Sequence, residues 1–86
     1  MTDNDKLILK KILYRAKYRG CKETDFLLGN FFAENKNHII NYGYELCQDF
    51  LGEDDMLIYD WILGKIDGPD KYKNLLTDIQ KFNKIF

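Results

Sequence analysis

The sequence predicts a small all-α protein, a bundle of about five short helices, and three observations lead to this prediction. Apolar residues recur at intervals of three and four along most of the 86-residue chain, which is the spacing of a helix with one buried face. No stretch alternates between polar and apolar residues for long enough to propose a strand. Glycine, proline and asparagine interrupt the apolar stripes, so we expect short connections within one domain spanning residues 1–86.

The first two helices are predicted on either side of Arg19 and Gly20. Acidic residues near the N-terminus favour a first helix that ends near this pair, and its candidate core residues are Leu9, Ile12, Leu13 and Ala16. The second helix is predicted from about Lys22 to Asn35, and its apolar set consists of Leu27, Leu28, Phe31 and Phe32.

A single third helix is predicted from about His38 to Leu51, although Gly43 in its interior weakens that prediction. A glycine inside a helix costs conformational entropy and leaves a gap in the side-chain stripe. The candidate core residues of this segment are Ile39, Ile40, Tyr44, Cys47 and Phe50.

Two more helices are predicted after Gly52. The fourth begins at three consecutive carboxylates, which the dipole favours at a helix N-terminus, and it is apolar nearly all round. We therefore expect it either to be the most buried helix or to expose an aromatic contact face. Pro69 marks a turn, and the last helix begins near Asp70 with its apolar stripe at Tyr72, Leu75, Leu76, Ile79 and Phe82.

Composition excludes several classes of protein. The chain is 45% hydrophobic and 15% aromatic, which suits a globular fold and not a disordered one. No apolar run approaches the roughly 20 residues of a membrane span, so no membrane insertion is expected. The acidic, polar N-terminus lacks a signal or transit pattern. We expect a cytoplasmic bacterial protein, or a processed protein of the mitochondrial matrix, with Cys21 and Cys47 reduced.

The charges are unevenly distributed although the net charge is only −1. Residues 1–22 hold seven basic and two acidic side chains, residues 23–70 hold two basic and eleven acidic ones, and residues 71–86 hold four and one. This dipolar pattern either orients a partner or is ordinary solvated charge. A pI near 5.7 argues against nucleic-acid binding, despite the basic residues of the first helix.

The residue types needed for catalysis or for metal binding are scarce. The chain contains one histidine, His38, and no serine, so neither a zinc set nor a nucleophilic triad can be assembled simply. Helix capping explains the three consecutive acids, and no glycine-rich phosphate loop is present. We therefore predict no catalytic residues, no metal site and no enzymatic activity.

Two polar features remain as candidate contacts. The run from Arg19 to Glu23 combines a cation, a helix-ending glycine and a carboxylate at a corner between two helices. Tyr59, Asp60 and Trp61 form an aromatic patch in the fourth helix. The alternative for the corner is an ordinary turn, and the alternative for Trp61 is a place in the core.

The order and spacing of these residues resemble a known family. The run from Leu13 to Gly29 resembles the R-G-x-x-E signature of the succinate dehydrogenase FAD-assembly factors of the SdhE type, with matches at Arg19, Gly20, Glu23 and Asp25. The segment from Tyr59 to Ile62, followed by Gly64 and Pro69, looks like the second block of that family. Two departures are Tyr18, where many relatives have arginine, and Cys21, where many have methionine.

The resemblance implies a helical assembly factor that promotes covalent attachment of FAD to the flavoprotein subunit of succinate dehydrogenase, and in some bacteria of fumarate reductase. FAD and the histidine that it joins would belong to the client, and this chain would act by positioning. Arg19 would donate to a carboxylate or carbonyl near the flavin, Glu23 would pair with a cation or orient Arg19, and Gly20 would allow close approach. The expected partner-binding residues are Arg15, Arg19, Gly20, Glu23, Asp25, Asp60 and Trp61. A generic helical adaptor without a role in flavinylation is the alternative.

Overall fold

The computed structural model describes residues 3–85, apart from the side chains at positions 37 and 38, so the side chain of His38 lies outside the description. Within residues 3–85 the chain forms six α-helices and one 3-10 turn, with no strand. The elements are α1 (Asp3–Lys17), α2 (Lys22–Glu34), α3 (Lys36–Tyr42), α4 (Tyr44–Leu51), α5 (Asp55–Leu63), the 3-10 turn (Asp70–Tyr72) and α6 (Lys73–Phe82). The all-α bundle is therefore confirmed. None of the helices in this part of the chain is long and apolar enough to cross a bilayer.

Every helix contributes to one hydrophobic core, and most of the predicted stripes face it. The fully or nearly fully buried side chains are Ile12, Ala16, Leu28, Phe31, Phe32, Ile39, Cys47, Phe50, Leu51, Ile58, Trp61, Ile62, Tyr72, Leu75, Leu76 and Ile79. Leu9, Leu13 and Leu27 are only half-buried at the edge of this core. Ile40 is 46% exposed, so its predicted core position is wrong.

The predicted third helix is in fact two helices that meet at Gly43. This glycine has φ +91°, a conformation that side-chain-bearing residues rarely adopt. Its N–H donates to the carbonyls of Ile39 and Ile40 at 3.0 and 3.2 Å, and its own carbonyl accepts from Cys47 at 3.2 Å. The same residue thus ends α3 and starts α4. The change of direction turns the side chain of Ile40 out of the core.

Helix α5 buries one side, and its most exposed apolar side chains are aliphatic and not aromatic. Its inner side buries Ile58, Trp61 and Ile62, while Met56 is 60% exposed on the opposite side and Leu57 is 41% exposed at the flank. The helix begins at Asp54, whose carboxylate accepts from two backbone N–H groups of the first turn at 3.1 and 3.3 Å.

The segment after α5 covers the ring of Trp61. The helix ends in a Schellman motif, with Gly64 in the left-handed conformation and the N–H of Lys65 donating to the carbonyl of Asp60 at 2.9 Å. The chain then turns back so closely that a Cβ added at Gly68 would lie 2.5 Å from Leu76 Cδ1 and 3.4 Å from Trp61 Cγ. The second block therefore closes the core over a tryptophan.

Replacing Gly43 by alanine should destabilise the fold by about 1–3 kcal/mol, because a Cβ is strained at φ +91° and ψ +139° even where the surrounding space is open. Gly52→Ala is the matched control, since Gly52 has φ −82° in the ordinary helical region and tolerates alanine at little cost. Urea unfolding followed by circular dichroism measures both. Equal losses of stability in the two variants would contradict the strain argument.

The stability of the protein should fall above about pH 9. Burial raises the pKa of the Cys47 thiol to about 11, and burial with a hydrogen bond to Glu53 raises the pKa of Tyr72 to about 12. A group with a raised pKa stabilises the fold below its unfolded pKa and loses that contribution as the pH rises towards the folded value. Between pH 8 and 11 the free energy of unfolding of Cys47→Ala should therefore fall by about 1–2 kcal/mol less than that of the wild type. The test is to compare the slopes of unfolding free energy against pH, and parallel slopes for variant and wild type would refute it.

Candidate functional site

The corner between α1 and α2 depends on the backbone of Gly20. Its φ is +86°, and a Cβ added there would meet no atom within 4 Å. The requirement for glycine is therefore conformational and not steric within this chain. Cys21 follows in an extended conformation, and its carbonyl accepts the first α2 hydrogen bond, from the N–H of Asp25 at 2.8 Å.

Asp25 closes the corner from the α2 side. Its carboxylate Oδ1 accepts a hydrogen bond of 2.6 Å from the backbone N–H of Arg19. Asp25 also lies in the first turn of α2, where negative charge is favoured by the helix dipole. This residue, expected to bind a partner, thus uses one carboxylate oxygen to hold the corner together.

Arg19 joins the corner to the turn between α4 and α5. Its Nε donates to Asp55 Oδ1 at 2.5 Å, Nη1 donates to the Leu51 carbonyl at 2.5 Å, and Nη2 donates to the Glu53 carbonyl at 2.8 Å. The carbonyl of Leu51 ends α4 and has no partner within that helix, so the guanidinium supplies the missing donor. The Arg19 side chain is only 9% exposed. In this structure each guanidinium nitrogen of Arg19 donates within the chain, and the expected contact of Arg19 with a partner stays a prediction.

The three consecutive acids have three separate structural uses. Glu53 accepts a hydrogen bond from the hydroxyl of Tyr72 at 3.1 Å, Asp54 caps α5, and Asp55 pairs with Arg19. Among the described residues, no group of three or more histidine, cysteine, aspartate or glutamate side chains could hold a metal ion.

Glu23 differs from its neighbours because it faces solvent. Its pKa is held below the ordinary glutamate value, first by a hydrogen bond from its own backbone N–H, then by the Cys21 thiol, which donates to Oε2 at 3.3 Å, and by the charge of Lys22. The carboxylate is therefore ionised at neutral pH. Of its two expected roles, the orientation of Arg19 is not seen here, since the hydrogen bonds of that guanidinium run to the α4–α5 turn.

An apolar groove between α2 and α5 lies beside Glu23, and we call it the α2–α5 groove. It consists of two shallow depressions of about 390 and 220 Å³ that share Glu23 and Tyr59. Phe26 is 66% exposed and Met56 60% exposed on its walls. Its lining residues are Cys21, Lys22, Glu23, Phe26, Leu27, Met56, Tyr59, Leu63 and Ile85. A carboxylate thus projects from a patch of exposed apolar side chains.

The other predicted contact residues lie in three different environments. Arg15 is exposed on the outer side of α1. Asp60 is half-buried, and helical spacing places it on the same side of α5 as Met56. Trp61 is only 7% exposed and packs against Phe50 and Tyr72 with ring centroids 6.4 and 5.9 Å away, so this ring lies in the core, and its expected contact with a partner stays a prediction.

A family model described as "flavinator of succinate dehydrogenase" matches residues 10–83 of this chain. The chain belongs to that family. The match covers the corner, the α2–α5 groove except Ile85, and the turn that Arg19 holds. The family assigned by resemblance from the R-G-x-x-E run is therefore confirmed.

Individual relatives of the family agree with this assignment. The FAD assembly factor SdhE of Coxiella burnetii is 31% identical over 81 residues, which cover 93% of this chain and 98% of that protein. The mitochondrial succinate dehydrogenase assembly factor 2 of Schizosaccharomyces japonicus is 28% identical over 93% of this chain and 57% of its own length, and that of Dictyostelium discoideum is 34% identical over 74% and 45%. The chain thus spans about half the length of these mitochondrial relatives. The comparison with solved structures found no match.

Sequence reasoning missed Asp55 and most of the α2–α5 groove in this family member. Asp55 looked like one of three capping acids, and its pairing with Arg19 joins residues 36 positions apart. A signal for the groove did exist, because Phe26 lies beside the predicted apolar stripe of α2 and Met56 lies in a helix that is apolar on every side.

Arg19→Ala should destabilise the fold by about 2–3 kcal/mol, because it leaves the Asp55 carboxylate and two backbone carbonyls without their charged donor. Asp55→Asn should cost less, and the double variant should cost less than the sum of the two single changes. Urea unfolding of all four proteins measures this coupling. Additive losses of unfolding free energy would show that the interaction between Arg19 and Asp55 contributes nothing to stability.

Proposed function

We propose that this chain promotes covalent attachment of FAD to the flavoprotein subunit of succinate dehydrogenase, and that it binds that subunit through Glu23 and the α2–α5 groove. Membership of the flavinator family supports the first part. The second part rests on one observation: of the three motif side chains Arg19, Glu23 and Asp25, only that of Glu23 is exposed. A surface that combines exposed apolar area with one ionised group is suited to specific protein binding.

The α2–α5 groove and Glu23 would contribute differently to binding of the partner. Burial of Phe26 and Met56 by the partner would supply most of the binding free energy, since both side chains are more than half exposed in the free chain. Glu23 would select a cationic group on the partner, because an unpaired charge buried at an interface is costly. Gly20, which lies in open space in this chain, would let the partner backbone approach the corner closely.

The chemistry of flavin attachment is assigned to the client and not to this chain. We infer that the client supplies FAD and the histidine that bonds to it, while this chain holds the flavoprotein in a geometry that favours the reaction. No catalytic group of this chain takes part in the proposal. The scarcity of catalytic residue types in the sequence agrees with such a role, since positioning needs a rigid surface and no nucleophile.

The same proposal suggests a second client protein and the cellular compartment in which this chain would work. The flavoprotein of fumarate reductase is a second proposed client, because it presents the same chemical task. The protein would work where these subunits are assembled, in the bacterial cytoplasm or, for a eukaryotic source, in the mitochondrial matrix. Relatives of both kinds, a bacterial FAD assembly factor and mitochondrial succinate dehydrogenase assembly factors, support this range.

Glu23→Gln should lower the yield of covalently bound flavin by about fivefold or more, because it removes the charge and keeps the shape of the side chain. The measurement is flavin fluorescence of the client in a denaturing gel after co-expression in a host that lacks its own assembly factor. The urea midpoint of Glu23→Gln should stay near that of the wild type, which separates loss of binding from loss of fold.

Glu45→Gln is the matched control, since Glu45 is also an exposed carboxylate in the first turn of a helix but lies on α4. It should leave the flavin yield unchanged. Equal covalent flavin with and without this chain would overturn the proposed function. An equal loss in both glutamine variants would overturn the assignment of Glu23 and leave the function in place.

A further inference from the structure

We propose that the outer face of α1 is a second contact for the flavoprotein, and that it takes an acidic segment of that partner. This inference rests on the proposed function and extends its docking surface to a region outside the R-G-x-x-E run. We call this region the basic α1 face. It consists of Lys10, Lys11, Tyr14, Arg15 and Tyr18.

The residues of the basic α1 face form one continuous surface. They follow the spacing i, i+1, i+4, i+5 and i+8, which places them together on the side of α1 opposite its buried residues Ile12 and Ala16. All of them are exposed, including Tyr14 at 65% and Tyr18 at 59%. The surface begins next to Arg19 at the corner and extends about 12 Å along the helix.

The cations of this face have no acidic partner within the described chain. Among the described side chains, the one ion pair joins Arg19 to Asp55, so Lys10, Lys11 and Arg15 are unpaired there. Lys11 and Arg15 are one helical turn apart, with Cβ atoms separated by about 5–6 Å. Two carboxylates at similar spacing on a partner would meet both cations.

Tyr14 and Tyr18 add exposed aromatic surface to the basic α1 face, which a face that only contacts solvent does not require. Their rings lie 4.8 Å apart at an interplanar angle of 44°. A shallow depression of about 410 Å³ between α1 and Gln48 of α4 is lined by Tyr14 together with the three cations. Exposed tyrosines beside arginine are typical of binding surfaces, because they bury much area at a low cost in conformational entropy.

An acidic protein segment fits this face better than a nucleic acid does. The rest of the molecule is acidic, with eleven carboxylates against two cations in residues 23–70, and would repel a phosphate backbone. A protein partner avoids this repulsion by placing a cation opposite Glu23 and carboxylates opposite the basic α1 face. Opposite charges at the two contacts would allow one orientation of the complex.

The test is a triple charge reversal, Lys10→Glu, Lys11→Glu and Arg15→Glu, measured by stopped-flow binding to the purified apo-flavoprotein subunit. The association rate constant should fall about tenfold or more at 50 mM NaCl, and the difference should shrink at 500 mM because salt screens exposed charges. The corresponding triple glutamine variant should lie between the reversal and the wild type, since it removes attraction without adding repulsion. Circular dichroism checks that each variant is folded.

The matched control reverses Lys65, Lys73 and Lys81, which are exposed and lie on the α5–α6 side of the bundle. It makes the same change in net charge, and Lys81 lies in a last helical turn as Arg15 does. The control should keep more than half of the wild-type association rate.

Several outcomes would overturn the inference. If both reversals slow association equally, only net charge matters and the basic α1 face is not a contact. If the wild type forms a dimer in sedimentation that the α1 reversal abolishes, or is retained on RNA in a way that the reversal abolishes, the face serves that other partner. If the wild type does not bind the apo-flavoprotein at all, both this inference and the proposed function fail. If it binds and the α1 reversal leaves the association rate unchanged, this inference fails and the proposed function stands.

Discussion

The hydrogen bonds of the Arg19 guanidinium are the interaction on which the rest of this structure depends. They join the corner after α1 to the turn between α4 and α5, across sequence separations of 32 to 36 residues. The pair with Asp55 is largely withdrawn from water, with side-chain exposures of 9% and 28%. Removing one member of such a pair costs more than the pair contributes, because a desolvated charge remains. These hydrogen bonds join the start of α5 to the corner, and the α2–α5 groove lies beside both.

The residues of the R-G-x-x-E run therefore have different physical tasks. Gly20 supplies a backbone conformation, Asp25 closes the corner, Arg19 ties the corner to a distant turn, and Glu23 remains in solvent. In the sequence the motif resembles one polar contact surface. In the structure most of its residues stabilise the corner, and only the carboxylate of Glu23 is exposed. The same holds for the second block, where Trp61 fills the core under the loop that Gly68 makes possible.

The proposed docking surface combines apolar area with charges of both signs. The groove offers exposed Phe26 and Met56, Glu23 stands beside it, and the basic α1 face begins at the other side of the corner. Apolar burial is non-directional, so it cannot by itself orient a client. Charges of opposite sign on the two sides of the corner would supply that direction, as the proposed positioning role requires.

The sequence by itself determined the all-α class, most of the core and the family, because helical periodicity and the spacing of a motif are local properties of the chain. It also indicated Glu23 and Gly20, since the end of one helix and the first turn of the next can be read from neighbouring residues. Tertiary structure alone decided that Arg19 turns inward to Asp55, that Trp61 faces the core and that Gly43 divides one predicted helix into two. These outcomes depend on which carbonyls, carboxylates and apolar side chains come from distant parts of the chain, and no local pattern carries that information.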